Sequence, residues 1–191
     1  LEQTDRLVTV VDDLLANARS QRAAGASELE LFDELAEIEA EWGPALTAAG
    51  RTLTVRCGRD VRVHATPGRL REAIGVLVEN SLRHGAGTVG VLVRPAGRGS
   101  GGMVVLEVSD EGPGIPEALV AHIFDRGVST ASSTGIGLGL ARAFVEADGG
   151  RLELRRAVPP TFAIFLVVSE EPSTPDAEGD RVPGPAGAPV G

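Results

Sequence analysis

The chain has 191 residues and a formal charge of −9, which argues against nucleic acid as its main partner, since phosphate backbones are held by basic surface. It contains no lysine. That excludes a P-loop NTPase or a Ser/Thr/Tyr protein kinase, each of which places a lysine on nucleotide phosphates. The single cysteine, Cys57, rules out an internal disulfide framework and fits a reducing compartment. No run approaches the roughly 20 apolar residues of a membrane span and no signal peptide opens the sequence, so the piece is expected to be soluble, whatever its parent chain is.

Residues 1–22 read as a helix: Thr4, Leu7, Val11, Leu14 and Ala18 recur at helical spacing, a seam suited to partner helices. A lone helix of this length is marginal in water, which points to a bundle completed from upstream or from another subunit. A second helix is predicted over 31–49, with Leu31, Leu35, Ile38, Trp42, Ala45 and Ala49 on one face and a kink at Pro44. The alternating segments 52–57 and 61–65 read as a hairpin, with Cys57 a plain strand residue lacking an activating partner. Thr66 as N-cap and Pro67 at the first helical position start a helix that runs to His84 and stops at Gly85. Strands are predicted at 88–93 and 103–109, joined by a Gly-rich loop over 95–102. A short helix over 116–123, a loop over 125–134 and a helix over 136–147, capped by Gly149 and Gly150, come next. Segments 151–156 and 161–168 form a closing hairpin. From Ser169 the chain turns to Pro, Gly, Ala and acid, too little apolar surface to offset chain entropy, and disorder is expected there. Helices against one sheet of about five strands make the fold class α/β, a two-layer α/β sandwich.

Three segments carry chemistry. Asn80, Arg83 and His84 share one face near the end of the helix over 67–84, where an amide oxygen, a guanidinium and an imidazole can meet a hydrated Mg²⁺, a phosphate and an aromatic ring. Alone, the pattern also fits a solvated helix face. Asp110 follows a buried strand and is followed by Gly112 and Gly114, so a fixed carboxylate stands where the backbone turns sharply and can be approached closely. Such an Asp can accept a hydrogen bond from an exocyclic amine, or it can simply be solvated in a turn. Gly135, Gly137 and Gly139 lead into a helix whose N–H groups form an anion site, although the spacing fails the dinucleotide pattern and follows a polar loop.

Taken together and in this order, the three segments resemble the GHKL ATPase superfamily, and within it the sensor histidine kinases. Val78 to Gly85 is similar to their N box, Asp110 to Gly114 to the G1 box, Ile123 to Gly127 to the F box, and Gly135 to Leu140 to the G2 box. The resemblance covers about 27–168, and residues 1–24 also look like the second helix of the kinases' dimerisation and histidine phosphotransfer domain. It implies a Bergerat-type ATP-binding domain over 27–168, preceded by one helix of a dimerisation hairpin and followed by a disordered tail over 169–191. It implies ATP and Mg²⁺ as ligands, with Asn80 coordinating the metal, Arg83 on phosphate and His84 near the adenine. Asp110 would read the adenine amino group with help from Thr161 through water, while Gly112, Gly114 and Ile115 shape the base pocket. Gly135, Gly137, Leu138, Gly139 and Leu140 would cradle phosphates. Phe124 would anchor a lid over 127–134 that nucleotide orders, and Arg126 lies where the family places a residue able to contact the γ-phosphate.

The implied activity is transfer of the γ-phosphoryl of ATP to a histidine and thence to a response regulator receiver domain, within a homodimeric kinase. The implied location is a cytoplasmic domain of a membrane-anchored bacterial protein. Two departures stand out. Many of these kinases carry a second Asn four residues before Asn80, and hydrolytic relatives a Glu; here the residue is Val76. None of His64, His84 and His122 has the acceptor's context, so the phosphate acceptor is expected on a helix upstream of Leu1. The alternatives are an anti-sigma-factor serine kinase, which the segment 1–22 disfavours, and a regulatory pseudokinase, which only Val76 favours.

Overall fold

The computed structural model describes residues 26–96, 102–125 and 136–169. The expected helix over 1–22, most of the Gly-rich loop, the lid and the acidic tail lie outside these residues. The described elements are β1 (Ser27–Glu30), α1 (Leu31–Ala48), β2 (Leu53–Arg56), β3 (Arg62–Ala65), α2 (Pro67–His84), β4 (Val89–Pro95), β5 (Met103–Ser109), α3 (Glu117–Val120), α4 (Gly137–Ala147), β6 (Arg151–Arg156) and β7 (Thr161–Val167).

Strands β4, β5 and β7 alternate so that one face is apolar, and their register sets those residues in rows across the sheet. Val91 pairs with Val108, which pairs with Phe162; Val93 pairs with Leu106, which pairs with Ile164, and Leu152 of β6 extends that row. The five-stranded sheet has the order β2-β4-β5-β7-β6. Only β2 and β4 run parallel, and their connection crosses over through β3 and α2. The apolar rows are covered by α1, α2 and α4, with α2 in the middle packed against both other helices. This position explains why the predicted stripe of Leu70, Ile74, Leu77 and Ser81 is buried and why Ala73, Gly75 and Val78 join it. Helix α1 continues through Pro44 and buries Leu46 where the sequence pattern suggested Ala45 and Ala49.

Two expectations need correction. The segments around β2 and β3 do not form a hairpin. Strand β2 pairs with β4, whereas β3 pairs antiparallel with β1 in a separate two-stranded sheet. Arg62 lies between Glu28 and Glu30 across that pairing, at 2.9 Å from each, and the Leu31 N–H adds a bond to the Val61 carbonyl. Strand β1, Ser-Glu-Leu-Glu, has no apolar run to announce it.

The second correction concerns the start of α2. Thr66 occupies the N-cap position, but its side chain makes no capping bond within its own helix. The cap comes instead from Asp148 at the end of α4. One Asp148 oxygen accepts the Thr66 N–H at 2.7 Å, and the other accepts the Thr66 hydroxyl and an Arg69 N–H, each at 2.9 Å. A carboxylate at the positive end of a helix is favourable, and this one is only 5% exposed. We predict that Asp148→Ala strands the half-shielded Arg69 charge and lowers the unfolding free energy by about 3 kcal/mol. Thr66→Ala, which removes the hydroxyl bond to Asp148, should cost about 1 kcal/mol. Urea denaturation with an unchanged slope is the check.

Candidate functional site

Helix α2, the end of β5, the loop leading to α3 and the first turn of α4 enclose a cavity of about 420 Å³. That volume suits a small-molecule site. Its walls are largely apolar, with Ile115, Leu119, Ile123, Leu138 and Phe162 facing inward and Pro160 beside them. The polar groups converge from α2 (Asn80, Ser81 and His84) and from the end of β5 (Asp110).

Asp110 is 8% exposed, because the closing strand and the end of α2 press on it from two sides. One carboxylate oxygen accepts the Gly112 N–H at 2.7 Å, which closes a short local turn. No other hydrogen bond to the carboxylate comes from the described residues, so an acceptor is left for a ligand. Two glycines make room for it. A Cβ on Gly85 would stand 2.5 Å from the Asp110 carboxyl carbon, and one on Gly112 would stand 2.6 Å from its oxygen. Gly114 holds φ +93 and its Cα abuts Val158 and Ala157, a conformation and a closeness that only glycine tolerates.

The Asn80 amide nitrogen is buried and has no hydrogen-bond partner among the described residues. A buried amide without a partner costs free energy unless a ligand supplies one. Oxygen and nitrogen of an amide are interchangeable assignments, so either end can face the cavity. Among the described residues no group of three or more His, Cys, Asp or Glu could hold a metal ion. The Asn80 amide oxygen is of the kind that a hard cation such as magnesium accepts as a ligand.

The other expected site residues divide. Gly137 begins α4 with no side-chain cap, so the first amides of that helix lack intrahelical acceptors and sit beside Leu138 at the cavity wall. Gly139 and Leu140 follow in the same turn but do not line the cavity. Arg83 turns to Glu79 at 2.6 Å, four residues back, and is half exposed. Phe124 packs edge-on against Phe162 with ring centroids 6.2 Å apart, and the Arg142 guanidinium stands 5.3 Å from its ring. Thr161 lies on β7 with its hydroxyl directed to the Pro159 carbonyl at 3.4 Å, outside the cavity lining. Arg126 and Gly135 lie outside the described residues.

Pro116, Leu119, Pro160 and Phe162 line the cavity from outside the four boxes, and Ser81, Gly85 and Ile123 line it from within boxes in which they were given no ligand role. Apolar wall residues carry no signal of their own. Gly85 could have been found by asking why a helix stops in glycine beside an aspartate-bearing loop. Val76 touches the first residue of α4: its Cγ1 is 3.3 Å from where a Gly137 Cβ would lie. It fills an apolar seat between the two helices.

A second cavity, of about 470 Å³, lies between α1 and β2 and is lined in part by Phe32, Ala36, Cys57 and Leu92. Cys57 is one residue past β2, and burial pushes its thiol up, away from the reactive thiolate. Among the described residues no helix is long and apolar enough to cross a membrane.

A family model for histidine kinase-, DNA gyrase B-, and HSP90-like ATPases matches residues 65–179, more than half of the 191. No curated sequence matches the chain. Among solved structures, the catalytic domain of the histidine kinase ThkA, nucleotide-free, is 22% identical with a TM-score of 0.65, over 74% of this chain and 95% of that one. The Acinetobacter baumannii histidine kinase AdeS is 19% identical with a TM-score of 0.66, over 89% of this chain and 82% of that one. Full-length ShkA in complex with AMPPNP is 21% identical with a TM-score of 0.66, over 90% of this chain and 38% of that one. At these identities the likeness establishes the fold.

The crowding around Asp110 yields a prediction independent of any ligand. Gly85→Ala should lower the unfolding free energy by about 1–3 kcal/mol and move the Gly112 amide resonance. Gly68→Ala, in the first turn of α2 with nothing within 4 Å of its Cβ, should be neutral or stabilising by up to about 1 kcal/mol. Urea titration and amide spectra of the two variants make the comparison.

Proposed function

We propose that this chain, which belongs to the family of histidine kinase-, DNA gyrase B-, and HSP90-like ATPases, binds ATP between α2, the end of β5 and α4 as the catalytic domain of a two-component sensor histidine kinase. The observation that carries the reading is Asp110: a buried carboxylate, immobilised by Gly112 and opening into an apolar cavity, is built to accept a hydrogen bond from an exocyclic amine. The flat apolar walls around it, Ile115, Leu119, Ile123 and Phe162, suit the faces of a purine.

The other residues divide the work along the nucleotide. His84 borders the base, with Gly112 and Gly114 keeping the backbone close to it. Thr161, whose hydroxyl points elsewhere, would reach the base only through water. Asn80 offers its amide oxygen to a hydrated Mg²⁺, which when bound neutralises phosphate charge. The amides of Gly137, Leu138 and Gly139 lie at the positive end of α4, suited to phosphate oxygens, whereas the Leu140 amide donates to the Ile136 carbonyl at 3.0 Å and would have to leave it to join them. Arg126 and Gly135 belong to the same phosphate end in this reading, and Arg83 would have to leave Glu79 to join them. Phe124, packed on Phe162, is the fixed point from which the lid departs.

In the transfer, the bond from the γ-phosphorus to the ADP oxygen breaks and a bond to an imidazole nitrogen forms. That imidazole belongs to a histidine on a dimerisation helix preceding Leu1, and an Asp of a response regulator then receives the phosphoryl group. Val76 supports transfer over hydrolysis, because an apolar side chain in contact with α4 stands where a water-activating carboxylate would be needed.

Asp110→Asn keeps the shape but turns an acceptor into a donor facing the adenine amine. We expect the Kd for Mg-ATP to rise at least tenfold, with circular dichroism and melting temperature unchanged. Calorimetry showing unaltered ATP affinity would overturn the placement of the base. For the transfer step, the chain supplied with its parent's dimerisation helices and γ-labelled ATP should produce an acid-labile phosphohistidine. A parent sequence without a histidine followed by an acidic residue upstream would rule out the histidine-kinase assignment.

A further inference from the structure

We propose that Arg51, which lies outside every segment singled out above, is a positioning residue that holds the adenine end of the site in register; the proposal rests on the ATP reading. Arg51 stands between α1 and β2, with its own N–H bonded to the Leu46 carbonyl at 2.8 Å. Its guanidinium does not pair with a carboxylate among the described residues. It spreads instead over the backbone at the end of α2. One terminal nitrogen donates to the Ser81 carbonyl at 2.5 Å and to that of Leu82 at 3.4 Å. The other donates to Ala86 O at 2.9 Å, and Nε donates to Gly87 O at 2.9 Å.

The Ser81 carbonyl already accepts the Gly85 N–H at 2.9 Å and takes Arg51 as a second donor, while the Leu82 carbonyl lies past the last intrahelical bond; a cation there also meets the negative end of the helix dipole. Arginine is suited to this task because its planar fork offers several donors in fixed directions, which an ammonium does not. The turn that Arg51 grips from one side is gripped from the other by the exit of β5. The Glu111 N–H donates to Ala86 O at 3.0 Å, and the Thr88 N–H donates to a Glu111 carboxylate oxygen at 2.7 Å. Between these two holds lies Gly85, in contact with the Asp110 carboxylate. The Ser81–Gly87 backbone is thus set by Arg51 on one face, and it sets Asp110 on the other. Misplacing the group that reads the base should loosen recognition of adenine more than it loosens the fold.

The test uses the whole chain and compares Kd values for Mg-ATP and Mg-GTP by calorimetry. For Arg51→Ala we expect ATP affinity to fall about tenfold and the ATP-over-GTP preference to shrink by a similar factor. Exchange of the Gly85 and Thr88 amides should quicken as well. Arg51→Lys restores the charge without the fork, so it should recover little of the preference. Arg69→Ala, which breaks the remote contact with Asp148, controls for lost stability and should leave the preference intact. If Arg51→Ala does not fold, Arg51→Lys carries the same comparison. Full ATP affinity and preference in the folded variants would overturn the role of Arg51 while leaving the ATP site standing. Failure of the unmutated chain to bind ATP would remove the ATP reading and the positioning role together.

Discussion

The C-terminus of α2 and the exit of β5 approach so closely that neither Gly85 nor Gly112 has space for a Cβ, and the Asp110 carboxylate occupies the gap between them. This contact gives the site its form. It lets a helix end and a strand end, which carry different functional groups, deliver those groups into one cavity. It also keeps Asp110 shielded, where a hydrogen bond made by its carboxylate is worth more than it would be in water. The contact in turn requires α2 to keep its place. That helix is held along its length by α1 and α4, at its start by the Asp148 carboxylate and at its end by the Arg51 guanidinium. Both terminal partners come from distant parts of the sequence. Each has the sign of charge that its end of the helix favours.

Much of this was legible in the sequence. The helices over 31–48 and 67–84 and the strands over 103–109 and 151–156 announce themselves through apolar periodicity and through glycine or proline at their ends. Asn80, His84, Asp110 and Gly114 were picked out by residue type and order, Ile115 and Leu138 through the family resemblance, and all of them line one cavity. The failures have physical causes. Strand β1 carries two glutamates flanking an arginine across the sheet, a pairing that has no local pattern. The segments at β2 and β3 alternate as a hairpin would, but their partners are chosen by tertiary contacts that periodicity does not see. Thr66 looked like a self-contained N-cap, and the cap is instead supplied by Asp148. Arg51 was invisible for a related reason: it binds main-chain carbonyls, and carbonyls leave no mark in a sequence.

Val76 shows how a departure from a family pattern can be read through packing. Val76 lies against the start of α4, with its Cγ1 3.3 Å from where a Gly137 Cβ would stand, and packs on the hydrophobic core. The valine binds α2 to α4 through apolar contact, so the two walls of the cavity are held together by packing rather than by a shared ligand. Asn80 is then the one amide of this helix that the cavity exposes to a bound group.

The electrostatics of the cavity set the terms on which an acidic chain without lysine can take a polyanion. Its basic side chains nearby are already engaged: Arg51 with backbone carbonyls, Arg83 with Glu79 and Arg142 with Glu146. The described residues that line the cavity include no arginine, and His84 is the basic group among them. Direct charge pairing among the described residues is therefore weak inside the cavity, and in the proposed reading recognition rests on the purine end, with Asp110 and the apolar walls. The phosphate end is left to backbone amides, to a metal that arrives with the nucleotide, and to whatever residues 126–135 contribute. A site arranged in this way discriminates by base before it discriminates by charge. In that reading other polyphosphates gain little from the described residues, which offer them no unengaged arginine at the cavity.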